Sequence, residues 1–384
     1  MVSAVVNRKV YIKQGDIKIH ANLYMCLVGE QGGRKSTPKD FARDIITSTF
    51  PDIAIGASMQ SREEIVQYLA SDESIRAYKT KEGALVEYHP YVFFINELKN
   101  FLSFNPGGMI EFLTDIYDRE YFDARTLKRG AEIIPCPSIT ILACETPEWI
   151  IDKLKARIIS GGFSRRMLYI YEIESSNPDE MVIIARPVIT KQANEAKQRV
   201  ISHLRTIKDL VGVFSWTAEA ERFFDAWYRK NKLSLPKDPI LRGYFRTKDA
   251  QLLKVCMNLA VSKPNPELVL TDALLIEGLA LLESVEKNLP KLSIAAGRNV
   301  LAVPQQRLLE MVNESGGIMD ESEIMRRMDK ELAPMEMLSV LRFLKDSQQL
   351  LTYSVNGKVL LATRSFMLAK KREQQAAAQK EGSS

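Results

Sequence analysis

The chain has 384 residues, of which 46% are hydrophobic and 26% are charged, an ordinary balance for a folded globular protein. This length predicts roughly two or three domains rather than one small core. No apolar run approaches the ~18 residues of a membrane span and we expect no signal segment, so the pattern argues against a membrane protein. The net charge of +5 permits nucleic-acid binding without demonstrating it.

The cysteines and histidines restrict the chemistry further. Cys26, Cys136, Cys144 and Cys256 lie singly inside apolar stretches, without paired spacing. This pattern predicts buried thiols in a reducing compartment, rather than disulfides or zinc ligands. Only three histidines occur, which argues against a histidine-rich metal site. We therefore expect a cytoplasmic protein.

Apolar patterning divides residues 1–299 into three regions. Residues 1–22 mix basic and apolar side chains and predict an edge strand or a lead-in to the next strand. In residues 23–187, short apolar runs alternate with helical patterns, which predicts an α/β layer with a largely parallel sheet. The composition turns polar at 173–187, and helical spacing then predicts an all-helical region over 188–299. The predicted buried strands are Leu23–Val28, Ile53–Ile55, Tyr91–Ile95, Ile139–Ala143 and Met167–Tyr171, and the predicted helices between them are Thr37–Thr49, Ser61–Ala70 and Met109–Tyr117.

Residues 300–368 predict a separate unit of three helices followed by a hairpin. The Asn-Gly turn at 356–357 between two apolar strands is the strongest short hairpin signal. This order is typical of a winged helix, which either binds duplex DNA, with Lys358 in the wing, or contacts protein. The tail, 369–384, is low in complexity and predicts a frayed helix or disorder. The predicted elements are Pro304–Asn313, Glu321–Lys330, Pro334–Ser347, Leu350–Val355 and Lys358–Ala362.

The most informative motif is the apolar run Leu23–Val28, which leads into a glycine-rich turn and Lys35-Ser36. Backbone N–H groups of such a turn cradle phosphates, the lysine reaches β/γ oxygens, and the serine ligates Mg²⁺. A helical pattern follows, and a helix N-terminus favours anions. Arg34 stands where the consensus has glycine. The residues expected to bind ATP here are Gly29, Gly32, Gly33, Arg34, Lys35, Ser36 and Thr37.

A second apolar strand supplies the acidic residue that a phosphate loop requires. Residues Tyr91–Ile95 run directly into Asn96-Glu97. Glu97 is well placed as the general base that activates water. Asn96 stands where an aspartate is usual, so we expect it and Ser36 to hold Mg²⁺ with reduced affinity. The alternative is a core strand that ends in a solvated glutamate.

Two further positions are candidates for contact with the γ-phosphate. The next apolar strand ends in polar residues, of which Thr146 is the first candidate and Glu145 the second. A Gly-Gly pair precedes Arg165 and Arg166, and an arginine there can act as a finger in a neighbouring subunit's site, with Arg165 preferred. The alternatives are an ordinary strand exit and a solvated basic cap.

Taken in order, these motifs resemble an AAA+ ATPase, and within that class the phage- and plasmid-encoded replicative helicases near the minichromosome-maintenance and superfamily-3 helicases. In the most similar group the loop reads Gly-x-x-Gly-x-Arg-Lys-Ser/Thr, which accommodates Arg34. Ala-Cys-Glu-Thr-Pro-Glu-Trp at 143–149 and Gly-Gly-Phe-Ser-Arg-Arg at 161–166 are also similar to that group. The resemblance covers about residues 20–290. It implies that the strand before Thr146 lies between the phosphate-loop strand and the acidic strand.

The resemblance also implies a β-hairpin that grips DNA in a ring channel. The stretches 121–125 and 132–134 flank a basic turn with Lys128 and Arg129 at its tip. Such contacts hold phosphates without reading bases. The alternative is an ordinary surface hairpin with a basic turn.

A helical lid over 188–299 is implied as well, with an arginine that touches the γ-phosphate. Arg246 and Arg242 are the candidates. The alternative is that they cap the helix that follows or pair with Asp249.

The expected function is therefore that of a hexameric ATPase, with Mg²⁺ and ATP between subunits, that translocates on DNA and unwinds it. The DNA in the central channel is expected to be single-stranded, the context is replication of a phage or mobile element, and replication proteins are further candidate partners. One alternative is an ATP-dependent assembly switch or helicase loader with slow turnover. Another is a DNA-binding regulator whose winged helix acts and whose ATPase fold is vestigial.

Overall fold

The computed structural model describes residues 1–103, 108–126, 130–153, 162–171, 191–236, 239–288, 302–328, 332, 334–355 and 358–368. The chain forms two compact units, Met1–Ala296 and Gly297–Ser384. Among the helices in the described ranges, none is both long and apolar enough to cross a membrane.

The first unit alternates strands and helices along the chain. Its strands are β1 (Val10–Gln14), β2 (Ile17–His20), β3 (Tyr24–Val28), β4 (Arg76–Lys79), β5 (Leu85–Ile95), β6 (Tyr121–Thr126), β7 (Gly130–Pro135), β8 (Pro137–Glu145), β9 (Met167–Tyr171), β10 (Gly212–Trp216) and β11 (Val269–Leu270). Its described helices are α1 (Val2–Val6), α2 (Ser36–Thr49), α3 (Arg62–Leu69), α4 (Leu98–Ser103), α5 (Met109–Ile116), α6 (Pro147–Lys153), α7 (Gly162–Arg166), α8 (Lys191–Lys208), α9 (Ala218–Leu233), α10 (Pro239–Arg246), α11 (Lys248–Ser262) and α12 (Asp272–Glu286).

A five-stranded central sheet carries the candidate site. Its strand order is β4-β5-β8-β3-β9, in which β5, β8, β3 and β9 run parallel and β4 pairs antiparallel with β5. Residues Tyr91–Ile95 of β5 are buried without interruption, as is typical of an inner parallel strand. The predicted α/β layer with a largely parallel sheet is confirmed, and β8 lies between β3 and β5.

The short run Ile53–Ile55 was predicted as a buried strand, but it forms only an isolated parallel bridge from Ile55 to Val92. Two backbone hydrogen bonds hold this bridge, from the Val92 N–H to the Ala54 carbonyl at 3.0 Å and from the Gly56 N–H to the Val92 carbonyl at 2.9 Å. Gly56 lies so close to the Phe93 ring that a Cβ there would collide with it. The predicted helices Thr37–Thr49, Ser61–Ala70 and Met109–Tyr117 are confirmed as α2, α3 and α5.

A second sheet joins the N-terminal strands β1 and β2 to β10 and β11, which lie much later in the chain. Its order is β11-β10-β1-β2, with β1 parallel to β10 and antiparallel to β2. Residues 1–22 thus form a short helix and a hairpin whose edge strand belongs to a different sheet from β3.

The prediction of an all-helical region over 188–299 is wrong, because β10 and β11 lie in it. Both strands are short and β10 pairs with residues far earlier in the chain, so no local periodicity marks them.

All four cysteines are free; Cys26, Cys144 and Cys256 are buried. The prediction of a buried thiol is wrong for Cys136, which is half-buried because it occupies the turn between β7 and β8, with φ of +43°. The polar boundary predicted at 173–187 falls outside the described residues.

The second unit has its own hydrophobic core, in which Leu308, Ile324, Val340 and Leu361 are buried. Its elements are α13 (Ala302–Glu314), β12 (Ile318–Asp320), α14 (Glu321–Met328), α15 (Pro334–Asp346), β13 (Leu350–Val355) and β14 (Lys358–Thr363). The sheet order is β12-β14-β13, and all three strands are antiparallel. The predicted order of three helices and a hairpin is confirmed, with β12 added. The turn at 356–357 and the tail at 369–384 lie outside the described residues.

Candidate active site

A cleft of about 800 Å³ opens where β3, β5 and β8 end. It brings together the glycine-rich loop, the acidic end of β5 and the polar end of β8, which are far apart in the chain. The carboxyl ends of parallel strands are the usual position of a ligand site in an open α/β sheet. The lining residues are Gln31, Gly32, Gly33, Arg34, Lys35, Ser36, Asp40, Asn96, Glu97, Lys99, Cys144, Glu145, Thr146 and Trp149.

The glycine-rich loop is anchored to β8 at its start and curls back on itself. The Gly29 N–H donates to the carbonyl of Glu145 at 3.3 Å, and the Gly33 N–H donates to that of Glu30 at 3.2 Å. Gly32 has φ of +83°, which an L side chain rarely adopts. At Gly33 a Cβ would lie 3.1 Å from the Glu30 carbonyl oxygen. This turn therefore requires glycine at position 32, and a side chain at position 33 would press on the Glu30 carbonyl.

Arg34 has a left-handed backbone, with φ of +52°. Glycine adopts this conformation freely, whereas for an L side chain it costs roughly 1–2 kcal/mol. This explains why the consensus has glycine at the position. The Arg34 side chain is exposed and lines the cleft.

Lys35 and Ser36 connect the loop to α2. The Lys35 ammonium donates to the carbonyls of Gly29 and Glu30, so it lies over the loop. Ser36 is the exposed first residue of α2, and the Thr37 N–H donates to the Arg34 carbonyl at 3.1 Å. The N-terminus of α2 thus faces the cleft, and the partial positive charge of its free N–H groups attracts anions there.

The acidic side of the cleft is formed by the residues between β5 and α4. Asn96 and Glu97 are both exposed. One Glu97 carboxylate oxygen accepts a hydrogen bond from the Asn100 side-chain amide at 2.7 Å. This bond orients the carboxylate and leaves its other oxygen for a water molecule, as general-base catalysis requires.

Glu145, the second candidate from sequence for contact with the γ-phosphate, instead uses its carboxylate to hold the backbone at the edge of the cleft. It is only 5% exposed, and its carboxylate accepts from the backbone N–H groups of Lys99 at 2.6 Å and Thr146 at 2.9 Å. Burial raises the pKa of Glu145, although the two N–H donors oppose the rise. Through Lys99 the carboxylate ties the end of β8 to the first turn of α4, directly after Glu97. Thr146, the preferred candidate from sequence, is half-buried and also lines the cleft.

The donor set of the cleft suits a magnesium ion that is held largely by substrate phosphates. Ser36 offers a hydroxyl, Asn96 an amide oxygen and Glu97 a carboxylate, and Mg²⁺ usually binds one or two protein carboxylates together with phosphate oxygens. Within the described ranges, no three His, Cys, Asp or Glu side chains form a group that could hold a metal by themselves.

The predicted finger arginine lies outside the cleft of its own chain. The methylene chain of Arg165 packs against Gly243 of α10, and the Arg165 carbonyl accepts from the Gln251 side chain at 3.0 Å. Arg166 is bound within its own fold, because it donates to the Gly162 carbonyl at 3.0 Å and lies 5.8 Å from the ring centroid of Tyr117. Both arginine side chains are half-buried, and the Nε atom of each is buried without a hydrogen-bond partner among the described residues.

The predicted lid arginines do not line the cleft either. Arg242 and Arg246 are exposed on α10. The alternative pairing with Asp249 is wrong, because the Asp249 carboxylate binds Lys232 at 3.2 Å. Lys232 also donates to the Arg246 carbonyl.

The predicted hairpin exists as β6 and β7, which pair antiparallel from Tyr121–Pro135 to Thr126–Gly130. Its basic tip, Lys128 and Arg129, lies outside the described residues. Lys358 begins β14, as predicted, but its side chain is likewise outside the description.

A buried arginine, which the sequence did not single out, clamps the base of this hairpin. Arg8 is 1% exposed. Its guanidinium donates to the Arg119 carbonyl at 2.7 Å and to the Pro137 carbonyl at 2.8 Å, on the two sides of the hairpin. It also pairs with the Glu120 carboxylate at 3.1 Å.

A buried lysine of α11 lies beside this clamp. Lys254 is fully buried, and its ammonium pairs with Asp118 at 2.8 Å and donates to the carbonyl of His20 and the side-chain oxygen of Asn22, both at 2.9 Å. The ammonium also lies 4.3 Å from the centroid of the Tyr117 ring. A lysine among the apolar residues of a helix is the one sequence signal that could have identified this cluster.

Among known proteins, the chain matches no family model and no curated sequence at significant similarity. Its function must therefore be argued from the cleft.

Proposed function

We propose that the first unit is a phosphate-loop ATPase of the AAA+ class. The observation that carries the proposal is the cleft, where Lys35 and Ser36 at the start of α2 face Asn96 and Glu97 at the end of β5. Cation, hydroxyl, helix N-terminus and carboxylate are the groups that phosphoryl transfer to water requires.

Each group has a separate role in the proposed reaction. Backbone N–H groups of the loop and Lys35 bind the β- and γ-phosphates, and Glu97 takes the proton of the attacking water. Thr146 orients the γ-phosphate from the opposite wall. Mg²⁺, when held by Ser36 and Asn96 with the phosphates, neutralises charge that develops during transfer.

The assembly that we propose is a ring, with six subunits as the expected number. Arg165 lies outside the cleft of its own chain, which supports a role in the site of a neighbour. Strand β8 lies between β3 and β5, which is the position that the AAA+ resemblance implies for the strand before Thr146, and this supports the same class. Helices α8 to α12 would form the lid over the nucleotide.

Within this class we propose a DNA translocase or helicase that acts in replication of a phage or mobile element. The β6–β7 hairpin between β5 and β8 supports DNA contact in the channel, because it occupies the position that the resemblance implies. The second unit, with its three helices and antiparallel sheet, would be a winged helix.

One residue favours a second candidate, an ATP-dependent switch or helicase loader. Asn96 provides no charge beside the proposed base Glu97, and weaker metal binding would slow turnover. In that case nucleotide binding drives assembly on DNA or on a protein, and hydrolysis only resets it.

ATP hydrolysis with and without single-stranded DNA, at two salt concentrations, tests the proposal. We expect turnover that DNA stimulates, that salt weakens and that Glu97→Gln abolishes, because binding through phosphates falls with salt. Nucleotide binding with negligible turnover under all conditions would favour the switch or loader. Absence of nucleotide binding would contradict both.

A further inference from the structure

The residue before Lys35 combines a strained backbone with a charge in the cleft. Arg34 has φ of +52°, a conformation that glycine adopts without strain, yet this position holds an arginine with its long cationic side chain. The guanidinium lines the same cleft as Lys35 and Ser36. Asn7, Cys136 and Gln348 also have a positive φ, but Arg34 is the one of these four residues that lines the cleft. Its uncommon backbone at the proposed nucleotide site is therefore a basis for assigning a function to its side chain.

A second residue of the same cleft, Asn96, also makes the charge of the cleft more positive than in a usual phosphate-loop site. Asn96 is neutral where phosphate-loop enzymes commonly hold Mg²⁺ through an aspartate. Relative to a loop with glycine and aspartate at these two positions, this cleft has one more positive charge and one fewer negative charge. Both differences strengthen the attraction of the cleft for phosphate without a metal ion. The absence of an aspartate at position 96 also weakens its attraction for Mg²⁺.

We propose that Arg34 takes over part of the role of magnesium in binding the polyphosphate of a nucleotide. Its planar guanidinium can donate two parallel hydrogen bonds to phosphate oxygens, which neutralises charge that Mg²⁺ would otherwise carry. Nucleotide binding is then only weakly dependent on Mg²⁺, whereas hydrolysis still uses the metal. This inference rests on the proposed function, because it assigns a role within the same nucleotide site.

Equilibrium binding of a fluorescent ATP analogue to the full chain, in Mg²⁺ and in EDTA, tests the inference. For the wild type we expect the Kd to rise by less than about fivefold in EDTA. For Arg34→Gly we expect a rise of at least about thirtyfold, since a hydrogen bond to a charged group is worth about one to two orders of magnitude in affinity. Glycine keeps the φ of +52° and relieves strain, so this variant retains the loop conformation.

Two further variants separate charge from shape. Arg34→Lys retains a cation and should stay closer to wild type than Arg34→Gly in EDTA. Asn96→Asp restores the usual metal ligand and should make binding more dependent on Mg²⁺. Thermal unfolding of each variant checks that the first unit is intact.

The outcomes distinguish this inference from the proposed function. If the wild type binds the analogue only with Mg²⁺, or if Arg34→Gly shows the same ratio of Kd values, the inference is wrong and the nucleotide site stands. If the wild type binds the analogue in neither condition, the nucleotide site itself is wrong and the inference falls with it.

Discussion

Lys35 and Arg34 are adjacent cations in the loop, but their surroundings differ. Lys35 is half-buried and its ammonium lies on the carbonyls of Gly29 and Glu30, whereas Arg34 is exposed. An ammonium within the loop is close to the backbone N–H groups that would hold phosphates. Lys35 should therefore control phosphate affinity with or without a metal ion.

Lys35→Ala is predicted to raise the Kd of the ATP analogue by about 100-fold, because the loop loses its central charge-assisted hydrogen bonds. Lys263→Ala is the control, since Lys263 pairs with Glu277 at 2.9 Å and is not among the residues that line the cleft. We expect this control to leave the Kd within about threefold of wild type, because the change removes no group from the cleft. Tight binding by Lys35→Ala would contradict the site assignment.

His20 is a second residue whose surroundings determine a measurable property. It is 4% exposed, its Nε2 lies 2.8 Å from the Glu120 carboxylate, and its Nδ1 has no hydrogen-bond partner among the described residues. Burial, reinforced by the nearby Arg8 cation, lowers the pKa of His20 to about 4, although the Glu120 carboxylate opposes this. Protonation would bury an N–H at Nδ1 without an acceptor.

The depressed pKa of His20 predicts acid destabilisation of the first unit. Because the folded state disfavours the protonated ring, its contribution to stability is present above pH 6.5 and is lost as the pH falls towards 4, by up to about 3 kcal/mol. Free energies of unfolding in urea at pH 7 and pH 4.5 measure this loss. His20→Gln should show a smaller loss, and His203→Gln, in α8, serves as the control. Equal losses in all three proteins would exclude His20 as the cause.

The β6–β7 hairpin illustrates how an element is held by residues outside it. Arg8 binds the chain just before β6 and just after β7, and Lys254 of α11 binds Asp118 in the same connection. The element that would contact DNA is thereby joined to a helix of the proposed lid.

Lys254→Met is predicted to destabilise the first unit by roughly 2–3 kcal/mol, because removing the buried ammonium leaves the His20 carbonyl and the Asn22 side chain without this donor, while water can still solvate the 42% exposed Asp118 carboxylate. Lys263→Met is the matched control at the end of the same helix. Lys263 pairs with Glu277 at 2.9 Å, but both side chains are half-exposed, so we expect a loss of less than about 1 kcal/mol. Urea unfolding compares the two variants, and equal losses would show that Lys254 does not hold the hairpin base.

At the scale of the whole molecule, two features concern assembly and partners. Among the described residues, neither Arg165 nor Arg166 of α7 lines the cleft, and the proposed ring assigns Arg165 to the site of a neighbouring subunit. The two units have separate hydrophobic cores, so each can be tested without the other.

Arg165→Ala is predicted to bind nucleotide but to lose turnover by at least about 1,000-fold if Arg165 acts as a finger. Mixing the Arg165→Ala protein with the Glu97→Gln protein should partly restore hydrolysis. At some subunit interfaces, the Arg165→Ala subunit then supplies an intact Glu97 and the Glu97→Gln subunit supplies an intact Arg165. Each variant alone, at the same total concentration, is the control. No recovery in the mixture would argue against action between subunits.

Removal of residues 297–384 tests the role of the second unit. The third helix, α15, exposes Met335 (76%) and Leu338 (54%), and from these apolar side chains we predict that it contacts protein rather than DNA phosphates. We therefore expect the truncated protein to keep its affinity for duplex DNA within about threefold, measured by fluorescence anisotropy. A loss of tenfold or more would show that the second unit binds DNA.

Local sequence patterns predicted the parts of the fold that depend on neighbours in the chain. The glycine turn before Lys35-Ser36, the apolar run into Asn96-Glu97 and the Asn-Gly hairpin each lie within a few residues, so turn chemistry and periodicity were sufficient. The same patterns placed α2, α3 and α5 within a residue or two of their observed limits.

Tertiary structure decided the features that join distant segments. The pairing of β1 with β10, the clamp of Arg8 on the hairpin and the contact of Glu145 with Lys99 each connect residues that local periodicity cannot relate. Burial also decides the pKa of Glu145 and His20, because the penalty for charge depends on how the whole chain packs around a side chain. The sequence by itself therefore identified the residues that we propose to bind phosphate, because they follow one another in local motifs, and tertiary packing determined how those residues are held and which of them share one cleft.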